Sequence, residues 1–255
     1  MRQGSAALLN VSAATRIATA IQPVGKGPFK PADELLSARS YVISFVNAHA
    51  VNLACDDPNF FKVLMSADLL LRDGLGVQLL MRAIGRGPGM NMNGTDFIPR
   101  LLATNKSLPI ALYGSSADVA SAAAARLQNE GAVRVTHCDG FRAVEHYLQR
   151  IQEDQPRVVV LGMGMPKQEL LAEAIVKAST QPILVINGGA VLDFMSGRIK
   201  RAPAPLRRFG LEWMFRLWLE PRRLWRRYLV GNAVFMARTC FAVLRYGRAP
   251  AGASI

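Results

Sequence analysis

The segment LLLRDGLGV places an acid, Asp73, at the end of a mostly apolar run and directly before a Gly-x-Gly turn. A carboxylate held at a strand end can take a proton from a hydroxyl nucleophile. The same residue type equally serves as a turn aspartate that caps a helix starting near Val77. In LGMGMPKQE, Gly162 and Gly164 make a GxG, but Lys167 fills the third glycine position and Pro166 precedes it, so a dinucleotide fingerprint is incomplete. Pro166 suits a first helical position, and Gln168 falls in the first turn, where free N–H groups favour an anion. An ordinary strand-to-helix turn has the same appearance. YGSSADV, with Gly114, Ser115 and Ser116, offers backbone N–H groups and two hydroxyls as a phosphate cradle, or simply an N-cap.

Other chemistries lack their residues. His49, His137 and His146 have no mutual spacing for a metal site, and no GxSxG nucleophile elbow occurs. Cys55, Cys138 and Cys240 are few, widely spaced and odd in number, which reads as reduced and cytosolic. No uncharged apolar run reaches 18 residues, because Arg238 interrupts the best candidate, Tyr228 to Leu244.

The elements that must position these residues alternate. Apolar runs in YVISFVN, DLLLRDG, LPIALYGSS, VRVTHCDGF, RVVVLGMGMP and PILVINGGAV are separated by helical patterns such as ADVASAAAARLQNEG and KQELLAEAIVKA. Continuous apolar strands alternating with helices predict an α/β body: a Rossmann-like parallel sheet with helices on both faces. Ligands of such sheets sit beyond the carboxyl ends of the strands. Those positions are Asn47, Asp73, Gly114 to Ser116, Asp139 to Phe141, Gly162 to Gln168 and Asn187 to Gly189, mostly glycine, acid and amide. We expect a flexible, at most weakly helical leader over 1–30, a catalytic domain over 31–200 and a basic helical appendage over 201–255.

Charge is distributed unevenly. The chain carries a net charge of +13, yet from Arg198 to Arg248 thirteen bases face only Glu212 and Glu220, so the rest is close to neutral. A basic terminus behind a neutral body points to an anionic second partner: nucleic acid, anionic lipid or diphosphate. If Pro221 opens a helix, about 100° per residue puts Arg222, Arg223, Arg226 and Arg227 on one arc, with Leu224, Trp225, Tyr228 and Leu229 opposite. One face then meets phosphate while the other packs on the body or dips into headgroups. The body shows no nucleic-acid-binding signature, which argues against nucleic acid as the partner.

In order along the chain, VNAHAV, ADLLLRDGLGV, NGTDFIP, LYGSS, LGMGMPKQE, NGGAVLDFMSGRIKRAP and GLEWMFRLWLEPRRLWRRY resemble the WecG/TagA/CpsF family of bacterial glycosyltransferases from about Tyr41 to Asn232. The resemblance implies an inverting, metal-independent transfer of an N-acetylmannosamine-type or related sugar from a UDP donor to a polyprenyl-diphosphate-linked sugar, without a cofactor. It implies Asp73 as general base, with Gln168 and Asn47 beside it. Phe141 falls where a ring can stack on uracil, and Asp193 matches the acid after the last strand. Arg216, Arg223 and Arg226 match appendage arginines that face diphosphate. For the donor, Gly114, Ser115, Gly164 and Gly188 complete the set. Two positions depart from many members, Phe45 in place of threonine and Asn91 in place of arginine, which bears on sugar specificity.

These residues give a mechanism in which backbone amides and arginines hold pyrophosphate while Asp73 activates the acceptor. The partners expected are a UDP-sugar, a lipid-linked saccharide and the inner membrane surface, peripherally. The segment RAPAPLRR is expected to act as a linker that lets the appendage close. An NAD-dependent oxidoreductase, a UDP-sugar epimerase and a nucleic-acid-binding protein remain open readings, as does a homo-oligomer.

Overall fold

The computed structural model describes residues 12–25, 32–36, 39–208 and 210–246. Parts of the expected leader, of its Gly/Pro-rich hinge and of the terminal tail, including Arg248, lie outside the described residues.

Six parallel strands form one sheet: β1 (Tyr41–Val46), β2 (Leu69–Arg72), β3 (Ile110–Gly114), β4 (Val135–Cys138), β5 (Val158–Gly162) and β6 (Leu184–Asn187), in the order β2-β1-β6-β5-β3-β4. The order reverses across β1 and β6, the switch at which α/β sheets open a crevice. All six runs picked out by their apolar character are strands. β2, β3, β5 and β6 are buried at every residue, as a sheet covered on both faces requires.

Alternate side chains sort to two faces. One face carries Ile43, Phe45, Leu69, Leu71, Leu112, Val160 and Ile186, packed against α6 (Gly94–Thr104), α7 (Ala117–Asn129) and α10 (Val191–Met195). On the other, Val46 and Leu70 pack with α3 (Ala48–Asp56), α4 (Pro58–Met65) and α5 (Leu75–Ala83), while Tyr113, Leu161 and Val185 pack with α8 (Val144–Asp154) and α9 (Lys167–Ala178). Helix α6 was not anticipated from the sequence. Pro99 interrupts its pattern, yet Asn93 caps it and Phe97, Ile98, Leu101 and Leu102 fill the core.

Part of the leader takes the helical alternative, and it is docked rather than flexible. Residues 12–20 are helical, and Ala14, Ile17, Ala18 and Ile21 are buried in the cluster beside α3, α4 and α5. The backbone then runs along the open edge of the sheet, where Gln22 N–H donates to the Leu70 carbonyl at 3.0 Å.

The appendage is docked on the body. After α11 (Ala204–Arg208) come α12 (Glu212–Leu219), α13 (Pro221–Trp225), a π-helical turn (Arg226–Val230) and α14 (Gly231–Tyr246). Phe235 on α14 is 1% exposed and enters the cluster lined by Val51, Val77 and Leu80. Arg238 pairs with Asp56 and donates to the Asn52 carbonyl, and Asn52 Nδ2 donates to the Gly231 carbonyl at 2.7 Å. RAPAPLRR is not a loose linker: Ala202 is buried, Arg201 is ion-paired to Asp96, and 204–208 are helical.

Candidate active site

The carboxyl ends of the strands and the inner faces of α12 and α13 enclose a cavity of about 1060 Å³. The volume suits a nucleotide sugar with room for a second reactant.

Asp73 stands at its floor. Its N–H donates to the Val46 carbonyl at 2.9 Å, which fixes the end of β2 against β1. The helix-cap alternative is not realised, because Gly74 occupies the cap of α5 with φ of 90° and no side chain bonds there. Burial pushes the Asp73 carboxyl up to about 6; Glu212 adds to the rise, while an Asn47 hydrogen bond and the charges of Arg227 and Arg216 oppose it. A base with this proton affinity is mostly ionised at neutral pH and still strong enough to accept a proton.

Asn47 caps α3: its Oδ1 accepts from Ala50 N–H at 3.1 Å, which turns the amide N–H₂ toward Asp73. Arg72 braces the same turn, donating to the carbonyls of Pro88, Gly74 and Gly89 and to Gln78. Asn91, one of the two departures, accepts from Gly74 N–H at 2.9 Å. Phe45, the other, lines the cavity and meets Phe97 edge to face at 5.8 Å.

Gln168 lines the cavity, and its amide is held by the protein. It is 1% exposed, its Oε1 accepts from Gly164 N–H at 3.2 Å and Gly189 N–H at 3.0 Å, and its Nε2 donates to Glu169. Both ends of the amide are therefore engaged, and it ties the turn after β5 to the turn after β6. Burial lifts the Glu169 carboxyl to about 7, against the bond from Gln168.

Of the donor-side residues, Ser115, Phe141, Gly164, Gly188 and Asp193 line the cavity. Ser115 takes φ of 54°, and its Oγ donates to Asp193 at 2.9 Å. Neither serine caps α7 through its side chain; Ser116 Oγ instead accepts from Arg198 at 3.1 Å. Phe141 is 80% exposed at the cavity. Gly114 does not line the cavity. It lets β3 and β5 approach, since a Cβ there would lie 2.4 Å from the Gly162 backbone. Its place in the structure is explained by that packing.

On the appendage, Arg216 and Arg223 line the cavity but Arg226 does not; Arg227 does. The inward stripe is Glu220, Arg223, Leu224, Arg227 and Tyr228, spaced i, i+3, i+4, i+7, i+8. Exposed Arg222, Trp225, Arg226 and Leu229 fall outside it. The division into a basic arc and an apolar arc is thus corrected: the face that meets the body cuts across both. A helix roofing a polar cavity must present cations to the hollow and apolar atoms to its rim. Arg226 lies over the Trp225 ring at 5.3 Å.

His49, Arg198, Asn93 and Glu212 line the cavity without having been singled out as site residues, and Arg227 was named only as one of four arginines on the basic arc. The i+4 spacing of Arg227 from Arg223 was the available signal. Glu212 accepts from Asn93 Nδ2 at 2.8 Å and lies 3.6 Å from Arg201, which also binds Asp96. NGTD, KRAP and GLEW are three parts of one clamp that seats α12 on the body.

The model of the glycosyl transferase WecG/TagA/CpsF family matches residues 30–249. An N-acetylglucosaminyldiphosphoundecaprenol N-acetyl-β-D-mannosaminyltransferase of Bacillus spizizenii strain W23 is 32% identical over 203 residues, 78% of this chain and 76% of the relative. A protein of the same name from Bacillus subtilis strain 168 is 31% identical over 193 residues, 74% of this chain and 75% of the relative. With a family match over most of its length, the chain belongs to the WecG/TagA/CpsF family of glycosyltransferases.

Proposed function

We propose that this protein is an inverting glycosyltransferase that moves an N-acetylmannosamine-type sugar from a UDP donor onto a polyprenyl-diphosphate-linked sugar, as a step in building a bacterial surface or exopolysaccharide. The observation that carries the reading is Asp73, an acid with proton affinity near neutrality on the floor of a cavity roofed by guanidinium groups. The names of the two Bacillus relatives support the acceptor class and the sugar.

In this reading the uracil stacks on Phe141 and the donor lies across the turns at Ser115, Gly164 and Gly188. The acceptor hydroxyl loses its proton to Asp73 while its oxygen attacks the anomeric carbon from the face opposite UDP. The new C–O bond forms as the bond to the UDP oxygen breaks, and the bonding pair leaves with UDP. One displacement inverts the anomeric centre. Preplaced cations stabilise the developing diphosphate charge, an effect worth several kcal/mol in a water-poor site.

The outer surface of the appendage supports peripheral attachment to the inner face of the cell membrane. Trp218 is 75% exposed and Leu244 84%, with Leu229, Val230, Val234 and Phe241 also exposed, beside the outward Arg222 and Arg226. Apolar side chains interleaved with arginine suit a headgroup region. No described helix is long and apolar enough to cross a membrane.

The test is to incubate the protein with UDP-N-acetylmannosamine, other UDP-sugars and a short-chain prenyl-diphosphate-linked N-acetylglucosamine, following UDP release and product mass. Acceptor-dependent UDP release with a disaccharide product of inverted anomeric configuration is expected. Interconversion of UDP-sugars without an acceptor would favour an epimerase instead.

A further inference from the structure

Four guanidinium groups of the appendage, those of Arg207, Arg216, Arg223 and Arg227, line the same cavity as Asp73, and they are not equivalent. Arg207 lies 3.9 Å from Asp96. Arg223 is ion-paired to Glu220 at 2.7 Å. Arg216 and Arg227 form no ion pair among the described residues. Arg216 lies over the Phe194 ring and Arg227 over its neighbour Tyr228, and the Nε of each is buried without a hydrogen-bond acceptor. Burial even disfavours the charged form of Arg227. Half-buried guanidinium charges without a counter-ion are costly, and an anion seated between the two groups offsets that cost.

The same two arginines act on Asp73. From the turn before α3, Asn47 donates to the carboxylate; from the start of α12, Glu212 opposes its ionisation. Arg72, its chain neighbour, is engaged by the carbonyls of Pro88, Gly74 and Gly89. His49, in the first turn of α3, is pushed down to about 4 by burial and then by Arg227, so it is neutral near pH 6. Arg72 attracts the carboxylate from the adjacent position, and Arg227 and Arg216 are the cavity-lining cations whose charge favours ionised Asp73.

We propose that a diphosphate diester seats between Arg216 and Arg227, and that its two negative charges make Asp73 a stronger base, so the proton acceptor reaches full strength only once the diphosphate is in place. The choice of a diphosphate rests on the transferase reading above; the coupling to Asp73 goes beyond it. An anion that offsets the two arginines leaves burial and Glu212 unopposed at the carboxylate, so its proton affinity rises. No bond to the ligand is made or broken. The carboxylate takes up a proton from buffer whenever the pH lies near its titration range. In turnover the same change strengthens the base while the acceptor hydroxyl is nearby.

Calorimetric titration of the full chain with a P1,P2-dibutyl diphosphate, whose two charges do not titrate near neutrality, tests this. It is run near pH 6 in two buffers of different ionisation enthalpy. Wild type is expected to bind with net uptake of a fraction of a proton. Asp73→Asn is expected to bind without uptake, His49→Gln to keep the uptake, and Arg227→Gln to bind about tenfold more weakly or worse. Binding by wild type without proton uptake overturns the coupling and leaves the diphosphate site standing. Uptake that survives Asp73→Asn and disappears in His49→Gln assigns the proton to the imidazole and also overturns it. Failure of the folded wild type to bind the diester removes both the coupling and the diphosphate reading of the appendage. A larger loss from Arg226→Gln than from Arg227→Gln rejects Arg227.

Discussion

Replacing Asp73 by asparagine is expected to remove most transferase activity and, at the same time, to make the protein more stable in alkaline solution. The carboxyl is raised from 3.8 to about 6, chiefly by burial. A carboxylate whose folded proton affinity exceeds its unfolded one binds more protons in the folded state, so it costs nothing below pH 4 and its full penalty applies above pH 6. That displacement corresponds to about 3 kcal/mol at pH 8 and about half as much at pH 5. Asparagine cannot ionise and is nearly isosteric, so the variant should gain up to about 3 kcal/mol at pH 8. For a chain of this size the gain amounts to roughly 6–12 °C in melting temperature. Thermal unfolding of both proteins at pH 5 and pH 8, followed by far-UV circular dichroism, measures it. Activity should fall by about two to four orders of magnitude, the usual worth of a positioned base. A variant no more stable than wild type at pH 8, or a difference independent of pH, would refute the reasoning that Asp73 is held charged against its surroundings. Retained turnover would remove it as the base.

Phe141→Ala should raise the KM for the UDP-sugar about tenfold with little change in melting temperature, because the ring is exposed and base stacking is worth about 1–3 kcal/mol; initial-rate kinetics with varied donor decide it. Gln168→Ala strands the N–H groups of Gly164 and Gly189 together, at about 1–3 kcal/mol each, and should lower both stability and donor affinity, measured by urea unfolding and by calorimetry with UDP. The double substitution Trp218→Ser and Leu244→Ser should weaken sedimentation with anionic vesicles while leaving turnover of a water-soluble acceptor intact; unchanged sedimentation would argue against this face as the lipid contact.

The six strands, their parallel pairing and the position of Asp73 at a strand end could be read from the chain, because apolar runs and the turns that follow them are local properties. Asn47, Ser115, Phe141, Gly164 and Gly188 were reachable by the same rule, Asp193 only through the family resemblance, and all line the cavity. The rule failed where a role depends on what lies across space. Gly114 follows a strand like the others, yet it meets β5 and not the hollow, a matter of how close two strand ends come. Gln168 was legible as a first-turn amide, but only the tertiary structure shows its oxygen shared by glycines from two different turns.

Helical spacing by itself groups four arginines on one arc, and which two of them look inward depends on how the helix is rotated over the body. That rotation is set by Leu224 and Phe235 finding apolar contacts and by Glu212 finding Asn93, partners more than a hundred residues away in sequence. The leader teaches the same lesson, since nothing in its composition foretold the groove that buries Ile17 and Ile21. The amino-acid sequence determined the sheet, the strand-end chemistry and the uneven charge, because each follows from periodicity or composition over a few residues. The tertiary structure decided which cations share a hollow with Asp73 and how strongly that acid holds its proton, because electrostatic energy depends on distances and burial that exist only once the chain has closed on itself.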